Sequence, residues 1–200
     1  MRAVIAEDQG PIRMDLRELL IEVGHEVVGE AANGEEALTV VADTSPDILF
    51  LDISMPKKDG LAVAEELQER FAQADGLAPF PIVMVTAFSD TALIERAAAA
   101  GVFGYIVKPF SKSDIVPAIE VARARFEQER TLRAEADSLA SQLETRKLVD
   151  RAKGVLMNKH GMGEADAFRA LQRLAMDKRK PLKEIAEAVI IAAEVAGDPS

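Results

Sequence analysis

The segment from Ile48 to Pro56 constrains the fold more than any other part of this 200-residue chain. It reads I-L-F-L-D-I-S-M-P, an unbroken apolar run that ends in Asp52 and is followed at once by a turn. A strand that is apolar on both faces is typical of the middle of a parallel sheet, because helices cover both sides of such a sheet. Open α/β sheets bind ligands in the crevice at the carboxyl ends of their strands. We therefore expect Asp52 to face a binding site.

Apolar segments of strand length alternate with helical patterns through the first half of the chain. The predicted strands are Ala3–Ala6, Val27–Val28, Asp47–Asp52, Ile82–Thr86 and Phe103–Val107. The predicted helices are Ile12–Val23, Asn33–Val41, Leu61–Phe71 and Ile94–Ala100, with Gln73–Pro81 as a long loop. This alternation predicts an α/β fold with right-handed crossovers. We expect a five-stranded, doubly wound parallel sheet, flavodoxin-like, in the order 2-1-3-4-5.

A long helical pattern follows the fifth strand. Ser113 is predicted to cap it in preference to Ser111, because Pro117 would then lie near the first turn. Neither Gly nor Pro occurs between Pro117 and Gly154, so one continuous helix is expected. Two apolar sets with 4-3-4 spacing lie on it, out of register with each other: Ile115, Ile119, Ala122 and Phe126, then Leu132, Ala136, Leu139 and Leu143. Such spacing fits either a dimer seam or a helix packed on its own domain.

The chain closes with two shorter helical patterns, Glu164–Asp177 and one opened by Pro181. With the segment from about Arg146 they predict a small three-helix module. We expect an α/β domain at 1–121, a helical or coiled-coil connector at 122–145 and an all-α domain at 146–200. Residues at helical spacing are predicted to form the core of the last domain: Ala152, Leu156, Ala167, Phe168, Leu171 and Ala175.

Charge divides the chain in the same way. The net charge is −10, yet Arg146–Ile185 contains eleven lysines and arginines against five acids, or +6, which leaves −16 elsewhere. A basic block on an acidic protein indicates two domains with different partners, and a solvated helix surface is the plainer alternative. The absence of cysteine excludes disulfides and thiolate metal sites. No stretch approaches the roughly 20 apolar residues of a membrane span, and the first residues leave no room for a signal peptide, so we expect a cytoplasmic protein.

Polar residues with compatible chemistry stand at four predicted strand ends: Glu7 and Asp8 after the first, Asp52 at the third, Thr86 at the fourth and Lys108 after the fifth. Three carboxylates in one crevice need a cation, and Mg²⁺ prefers such hard oxygen ligands. The set predicts phosphoryl transfer to Asp52, with Lys108 and the Thr86 hydroxyl stabilising the phosphoryl oxygens. Taken singly, an Asp or Thr at a strand end is more often a helix cap or turn former. Glu7-Asp8 could simply cap the first helix, and Lys108-Pro109 could simply end a strand.

These residues carry a resemblance. Glu7-Asp8, Asp52 with Met55-Pro56 and Gly60, Thr86-Ala87, Tyr105 and Lys108-Pro109-Phe110 resemble the receiver domain of two-component response regulators, over Met1 to about Ala122. The resemblance implies phosphorylation of Asp52 by a sensor histidine kinase. It implies that Asp8, Asp52 and the backbone carbonyl of Ser54 hold Mg²⁺, with Glu7 assisting. It also implies a switch through Thr86 and Tyr105, a small residue (Ala87) beside the phosphoryl group, and a cis Lys108–Pro109 bond.

The basic segment carries a second resemblance. R-K-L-V-D-R-A-K-G-V-L-M-N-K-H-G followed by E-A-D-A-F-R-A-L-Q-R-L-A-M-D is similar to the ANTAR domain, from about Leu143 to Ile191. That family is an RNA-binding output that prevents transcription termination, which implies hairpins in nascent transcripts as partners. Gly163 stands where the family usually has a stronger N-cap. Contact with RNA is expected from the basic side chains Arg151, Lys153, Lys159, Arg169, Arg173, Lys178, Arg179 and Lys180.

Together these features predict a phosphorylation-controlled antiterminator, in which phosphorylation promotes a homodimer or frees the basic module. It would not be an enzyme beyond slow loss of its own phosphate. One alternative is a Mg²⁺-dependent phosphatase with an aspartyl intermediate, although Ser54 stands where such enzymes place a second carboxylate. The other is a DNA-binding output, with the last helices as a helix-turn-helix.

Overall fold

The computed structural model describes residues 1–72, 78–87 and 100–195. The chain divides into two compact units, Met1–Thr131 and Leu132–Ser200. Residues 73–77 of the predicted loop lie outside the described residues, as do the predicted helix at Ile94–Ala100, except its last residue, and positions 196–200 of the last predicted domain.

The first unit is built on a five-stranded parallel sheet, and the predicted fold class is confirmed. The strands β1 (Arg2–Ala6), β2 (Glu26–Ala31), β3 (Ile48–Asp52), β4 (Ile82–Thr86) and β5 (Val102–Val107) lie in the order β2-β1-β3-β4-β5. All five residues of β3 are buried. The register pairs Leu51 with Ala6 of β1 and Asp52 with Val85 of β4. The carboxyl ends of these three central strands are therefore level.

Helices cover both faces of the sheet, which explains the apolar character of β3. They are α1 (Gly10–Glu22), α2 (Gly34–Thr44) and α3 (Gly60–Ala72), followed by the helix after β5. Leu49 and Leu51 belong to the apolar cluster that contains residues of α2 and α3. Ile48 and Phe50 belong to the other cluster, with α1 and residues 115–126. Successive strand residues point to opposite faces, so both faces of β3 need apolar side chains.

The start of α2 follows the predicted capping pattern with one difference. The Asn33 side chain accepts a hydrogen bond from the Glu36 amide at 3.1 Å. The Glu36 carboxylate in return accepts from the Ala32 amide at 3.0 Å, one residue before the cap. This backbone hydrogen bond is the main cause that lowers the pKa of Glu36. Local side-chain chemistry thus sets where α2 begins.

The helix after β5, α4, runs without a break from Lys112 to His160, 49 residues that include Gly154. The prediction that Ser113 caps it is wrong. The carbonyl of Ser111 accepts from the Ile115 amide, and the Asp114 carboxylate accepts from the Ser111 amide at 2.9 Å. The helix therefore begins one residue after Ser111, and Pro117 lies in its second turn rather than its first. Within the described ranges, α4 included, no helix has the combined length and apolar character needed to cross a bilayer.

The two apolar sets on α4 have different environments. Ile115, Ile119, Ala122 and Phe126 are buried in the first unit, and the Phe126 ring meets Phe103 edge-on with centroids 5.4 Å apart. For this set, packing on its own domain is the correct alternative. In the second set, Leu132, Leu139 and Leu143 remain 53%, 65% and 55% exposed.

The second unit contains the end of α4 with α5 (Glu164–Lys178) and α6 (Leu182–Val195). Its core cluster comprises Val149, Ala152, Leu171, Ile185, Ala186 and Ile190. Gly163 occupies the N-cap of α5 and supplies no side-chain hydrogen bond. The Pro181 carbonyl accepts from the Ile185 amide at 3.3 Å, so Pro181 lies immediately before α6 rather than inside its first turn.

Phe168 is the exception among the predicted core residues of this unit. Its side chain is 37% exposed, whereas Ala167 and Leu171 are fully buried. Successive residues of an α-helix are about 100° apart around the axis, so the neighbour of Ala167 falls at the edge of the buried stripe. The prediction that Phe168 is buried is therefore wrong.

Candidate functional site

The strand-end residues converge at one edge of the sheet. Lys108 Nζ lies 2.6 Å from Glu7 Oε2 and 3.1 Å from Asp52 Oδ1. Carboxylate oxygens of Glu7, Asp8 and Asp52 all lie within 4.8 Å of one another. Thr86 ends β4 beside them in the sheet, and its carbonyl accepts from the Lys108 amide at 2.8 Å. Parallel strands carry their carboxyl ends on the same edge, which brings together residues about 100 positions apart.

Burial gives this cluster its electrostatic character. Glu7, Asp52 and Thr86 are only 1%, 2% and 6% exposed, whereas Asp8 is exposed. Burial raises the pKa of Glu7, and the nearby charge of Asp52 raises it further against the opposing effect of Lys108. Two buried carboxylates share one ammonium group, so the cluster carries excess negative charge.

The surroundings of Asp52 Oδ2 show whether a cation fits the carboxylate cluster. This oxygen is buried and has no hydrogen-bond partner among the described residues. A buried carboxylate oxygen without a partner is costly, and it is an available ligand for a hard cation. With the exposed carboxylate of Asp8 beside it, the cluster could bind a divalent metal ion.

The turn after β3 is packed tightly against the strand that carries Asp52. The Gly60 amide donates to the Ile53 carbonyl at 2.9 Å. A Cβ atom at Gly60 would lie 2.1 Å from the Asp52 carbonyl oxygen, closer than any contact allows. Ser54 lies in this turn, two residues beyond Asp52, with its side chain exposed. Glycine at position 60 thus allows the turn to close.

The β5 side of the site contains the remaining predicted residues. The Lys108–Pro109 peptide bond is cis. Ala87 directly follows Thr86 and is exposed. Tyr105 pairs with Met84 in the sheet and lies half-buried against the cluster that contains Leu51. Burial raises the pKa of the Tyr105 hydroxyl.

Sequence reasoning missed Arg13, which binds the loop that carries Glu7 and Asp8. Its Nη1 donates to the Glu7 carbonyl oxygen at 2.6 Å, and its Nε donates to Glu30 Oε2 of β2 at 3.2 Å. Arg17, one turn later, pairs with the other oxygen of Glu30 at 3.2 Å. Arg13 therefore ties α1 to the ends of two strands, directly behind Glu7. No periodicity distinguishes Arg13 from Arg17 in the sequence.

Five of the predicted RNA-contacting basic residues are held by neighbouring carboxylate or carbonyl groups. Lys153 is the most enclosed, with a 15% exposed side chain between Asp150 and Glu164 at 2.7 and 2.8 Å. The hydrogen bond to Asp150 is the main cause that raises the pKa of Lys153. The other held residues are Arg151 with Glu194, Lys159 with the Ala193 carbonyl, Arg169 with Asp166, and Lys180 with Glu184.

Three of the predicted RNA-contacting residues remain available. Arg173, Lys178 and Arg179 are exposed and have no ion-pair or hydrogen-bond partner through their side chains among the described residues. All three lie in the second half of α5 or at its end, where Arg179 adopts the left-handed conformation with φ of 51°. Among the eight predicted RNA-contacting residues, those without a partner therefore lie in the second half of α5 or directly after it.

The fold and the site together define a class of protein. Residues 3–120 match the response regulator receiver domain family, and residues 137–190 match the ANTAR domain family. The chain therefore belongs to the response regulators, with a receiver domain followed by an ANTAR domain. It is 49% identical over 199 residues to the transcriptional regulatory protein PdtaR of Mycobacterium tuberculosis, covering 99% of this chain and 92% of that protein.

Solved structures resemble the first unit. The signal receiver domain of a modulated diguanylate cyclase from Desulfovibrio desulfuricans is 31% identical, with a TM-score of 0.54 over 64% of this chain and 97% of that one. The CheX–CheY–BeF3–Mg²⁺ complex from Borrelia burgdorferi contains a chain that is 25% identical, with a TM-score of 0.54 over 60% of this chain and 86% of that one. These similarities agree with the observed sheet order.

Proposed function

We propose that this response regulator accepts a phosphoryl group on Asp52 from a sensor histidine kinase. The observation that carries the proposal is the buried Asp52 carboxylate, in contact with Lys108 and grouped with Glu7 and Asp8. An Asp52 oxygen would attack the phosphorus of a kinase phosphohistidine. The new P–O bond replaces the P–N bond, and the imidazole leaves with a proton taken from water. In-line attack by a carboxylate that is already positioned needs little further chemistry from the protein.

Each neighbour of Asp52 has a role in the proposal. Asp8, Asp52 and the Ser54 carbonyl would hold Mg²⁺, with Glu7 assisting, and the bound ion would neutralise charge on the phosphoryl oxygens. Lys108 would exchange its contact with Asp52 for one with a phosphoryl oxygen. Thr86 would donate a hydrogen bond to another phosphoryl oxygen. The related CheY was solved with Mg²⁺ and BeF3, which supports the choice of metal.

The change at Asp52 would be transmitted by Thr86, Ala87 and Tyr105. Thr86 would move toward the phosphoryl group, beside which Ala87 leaves room, and Tyr105 would turn further inward behind it. Tyr105 is the single tyrosine and the chain has no tryptophan, so its fluorescence reports on this position alone. We expect a fluorescence change on adding Mg²⁺ and acetyl phosphate, and an unchanged spectrum would contradict the movement of Tyr105.

Substitution of Asp52 tests the site directly. Asp52→Asn removes the nucleophile, so incubation with radiolabelled acetyl phosphate and Mg²⁺ should leave no acid-labile phosphate on the protein. Asp59→Asn is the matched control, because Asp59 is an exposed carboxylate in the same turn that accepts from the Ala62 amide. The control should label like the unsubstituted protein. Labelling retained in Asp52→Asn would reject the assignment.

The proposed output is RNA binding that prevents transcription termination in the cytoplasm. The ANTAR match and the +6 charge of 146–185 support this part. The ligands would be hairpins in nascent transcripts. Eight basic residues would contact them: Arg151, Lys153, Lys159, Arg169, Arg173, Lys178, Arg179 and Lys180. Lysine and arginine contacts to phosphate give affinity that falls steeply with salt. Competition between hairpin RNA and duplex DNA at a fixed salt concentration tests the choice of nucleic acid, and preference for DNA would reject it.

Coupling between the two ends would pass through α4. We propose a receiver domain at 1–121, a connector at 122–145 and an RNA-binding domain at 146–200. The exposed residues Leu132, Leu139 and Leu143 on the connector support a homodimer that forms on phosphorylation. Release of the basic domain is the other route by which phosphorylation could act.

A further inference from the structure

A groove lies beside α5 in the second unit, and the site at Asp52 does not involve it. It encloses about 560 Å³, a volume in the range of small-molecule sites. The loop before α5 and one face of that helix form its walls. Its lining includes Met162, Asp166, Arg169, Arg173, Leu174 and Asp177.

The apolar part of the groove consists of Met162 and Leu174. These large side chains remain 36% and 39% exposed, although α5 buries Ala167 and Leu171 fully. Neither Met162 nor Leu174 belongs to the core cluster of the unit. The groove therefore offers an apolar surface to a ligand.

Two arginines one helical turn apart flank this surface, and they differ in availability. The Arg169 guanidinium pairs with the Asp166 carboxylate, which holds both groups in place. Arg173 and Asp177 stand in the same i to i+4 relation that favours ion pairs, but neither has an ion-pair partner among the described residues. One planar cation and one carboxylate therefore face the groove unpaired.

We propose that this groove takes one unpaired nucleobase from the loop of an RNA hairpin, an inference that rests on the proposed RNA-binding function. The Arg173 guanidinium stacks on the base, and Leu174 and Met162 contact the same flat ring system. Asp177 accepts a hydrogen bond from an exocyclic amino group, which guanine, cytosine and adenine carry and uracil lacks. Lys178 and Arg179, free at the end of α5, contact the adjoining phosphates.

The mixed chemistry of the groove is what favours a base. A phosphate group would use the arginines but would be repelled by Asp177 and gain nothing from the apolar surface. An apolar protein side chain would leave Arg173 and Asp177 unpaired on burial, which is costly. A base in a loop has both a flat apolar face and donors at its edge, and it needs no strand separation to be reached.

Arginine-to-lysine substitution separates stacking from charge. The full chain would be titrated with hairpins that share one GC stem and carry a loop of constant length, either randomised or with each position fixed in turn. Arg173→Lys keeps the charge but removes the planar guanidinium. It should keep the salt dependence of affinity and weaken binding of the best loop by about fivefold, the lower end of base stacking. Asp177→Asn should change which base is preferred at one loop position.

Arg146→Lys serves as the matched control, because Arg146 is an exposed arginine of α4 outside the groove. It should leave both affinity and loop preference unchanged. If the unsubstituted protein discriminates among loops and Arg173→Lys and Asp177→Asn leave that discrimination intact, the groove assignment is overturned while RNA binding stands. If the protein binds every hairpin no better than a blunt duplex of the same stem, the proposed function itself fails, and the inference fails with it.

Discussion

Gly60 lies where any side chain would collide with the backbone of Asp52. The distance of 2.1 Å from a Cβ atom to the Asp52 carbonyl oxygen is far below a normal contact, and the obstacle is backbone that has no rotamer to change. The chain must therefore move at the turn that carries Ser54, or at the end of β3 itself. Either movement displaces groups that we propose as Mg²⁺ ligands.

Gly60→Ala is accordingly expected to affect both folding and the site. The overpacked contact should lower the free energy of unfolding by about 1–3 kcal/mol. Mg²⁺ affinity, measured by titration calorimetry, should fall together with the rate of labelling by acetyl phosphate. Gly10→Ala is the control, because a Cβ atom there meets nothing within 4 Å. Equal Mg²⁺ affinity in both variants would show that the turn tolerates the extra atom.

His25 is expected to make the stability of the first unit depend on pH. Its Nδ1 is buried and has no hydrogen-bond partner among the described residues. Burial lowers its pKa below 6.5, and the positive charges of the Met1 amino group and Arg123 lower it further, against Glu120. The unfolded chain then binds the proton more tightly than the folded one. The stability contribution is therefore complete above about pH 6.5 and is lost as the pH falls below it.

Replacing the imidazole should remove this part of the pH dependence. Urea unfolding of His25→Gln at about pH 7.5 and about pH 5.5 should show a smaller loss of stability than the unsubstituted protein shows. His160→Gln controls for the other histidine, which is exposed. If His25→Gln loses as much stability on acidification as the parent, His25 is not the group responsible.

Two-sided burial made β3 and the strand-end site predictable. A helix on each face of the sheet requires apolar side chains at consecutive positions, so a polar residue at the end of such a run is conspicuous. Lys108 and Glu7 could be placed together for the same reason, since the strand ends share one edge. The contact between Arg13 and the Glu7 carbonyl could not be inferred from the sequence, because it depends on the side-chain rotamer of Arg13.

Helix ends and helix edges were less predictable than the helices themselves. Ser111 and Ser113 are both acceptable caps, and the choice depends on the Asp114 carboxylate reaching the Ser111 amide. Phe168 shares the helical pattern of its neighbours but lies at the boundary of the buried stripe. In both cases a shift of one or two residues decides the outcome, and periodicity does not resolve that difference.

Gly154 lies inside the continuous helix α4, and a Cβ atom there would meet nothing within 4 Å. Glycine in a helix interior costs about 0.5–1 kcal/mol relative to alanine, so Gly154→Ala should raise the free energy of unfolding by that amount. Thermal denaturation followed by circular dichroism measures the change. A lower melting temperature would mean that the fold requires glycine at position 154. Weaker hairpin binding at unchanged stability would mean that RNA binding requires glycine there.

The whole molecule combines an acidic, Mg²⁺-compatible receiver domain with a basic ANTAR domain through α4. The first apolar set of α4 packs in the core of the receiver domain, and the leucines of the second set remain exposed. A change at Asp52 can reach the output only if it alters this helix or the surfaces beside it. The proposed control of RNA binding by Asp52 therefore depends on this helix.

The most direct test measures hairpin-RNA affinity and molecular mass on the same sample, with and without acetyl phosphate and Mg²⁺. We predict that labelling of Asp52 changes RNA affinity by about fivefold or more, the lower end of typical coupling between sites, and that Asp52→Asn removes this change while still folding. A rise in mass would indicate the dimer, and an unchanged mass would indicate release of the basic domain. Full labelling of Asp52 with no change in RNA affinity would contradict control of RNA binding by phosphorylation.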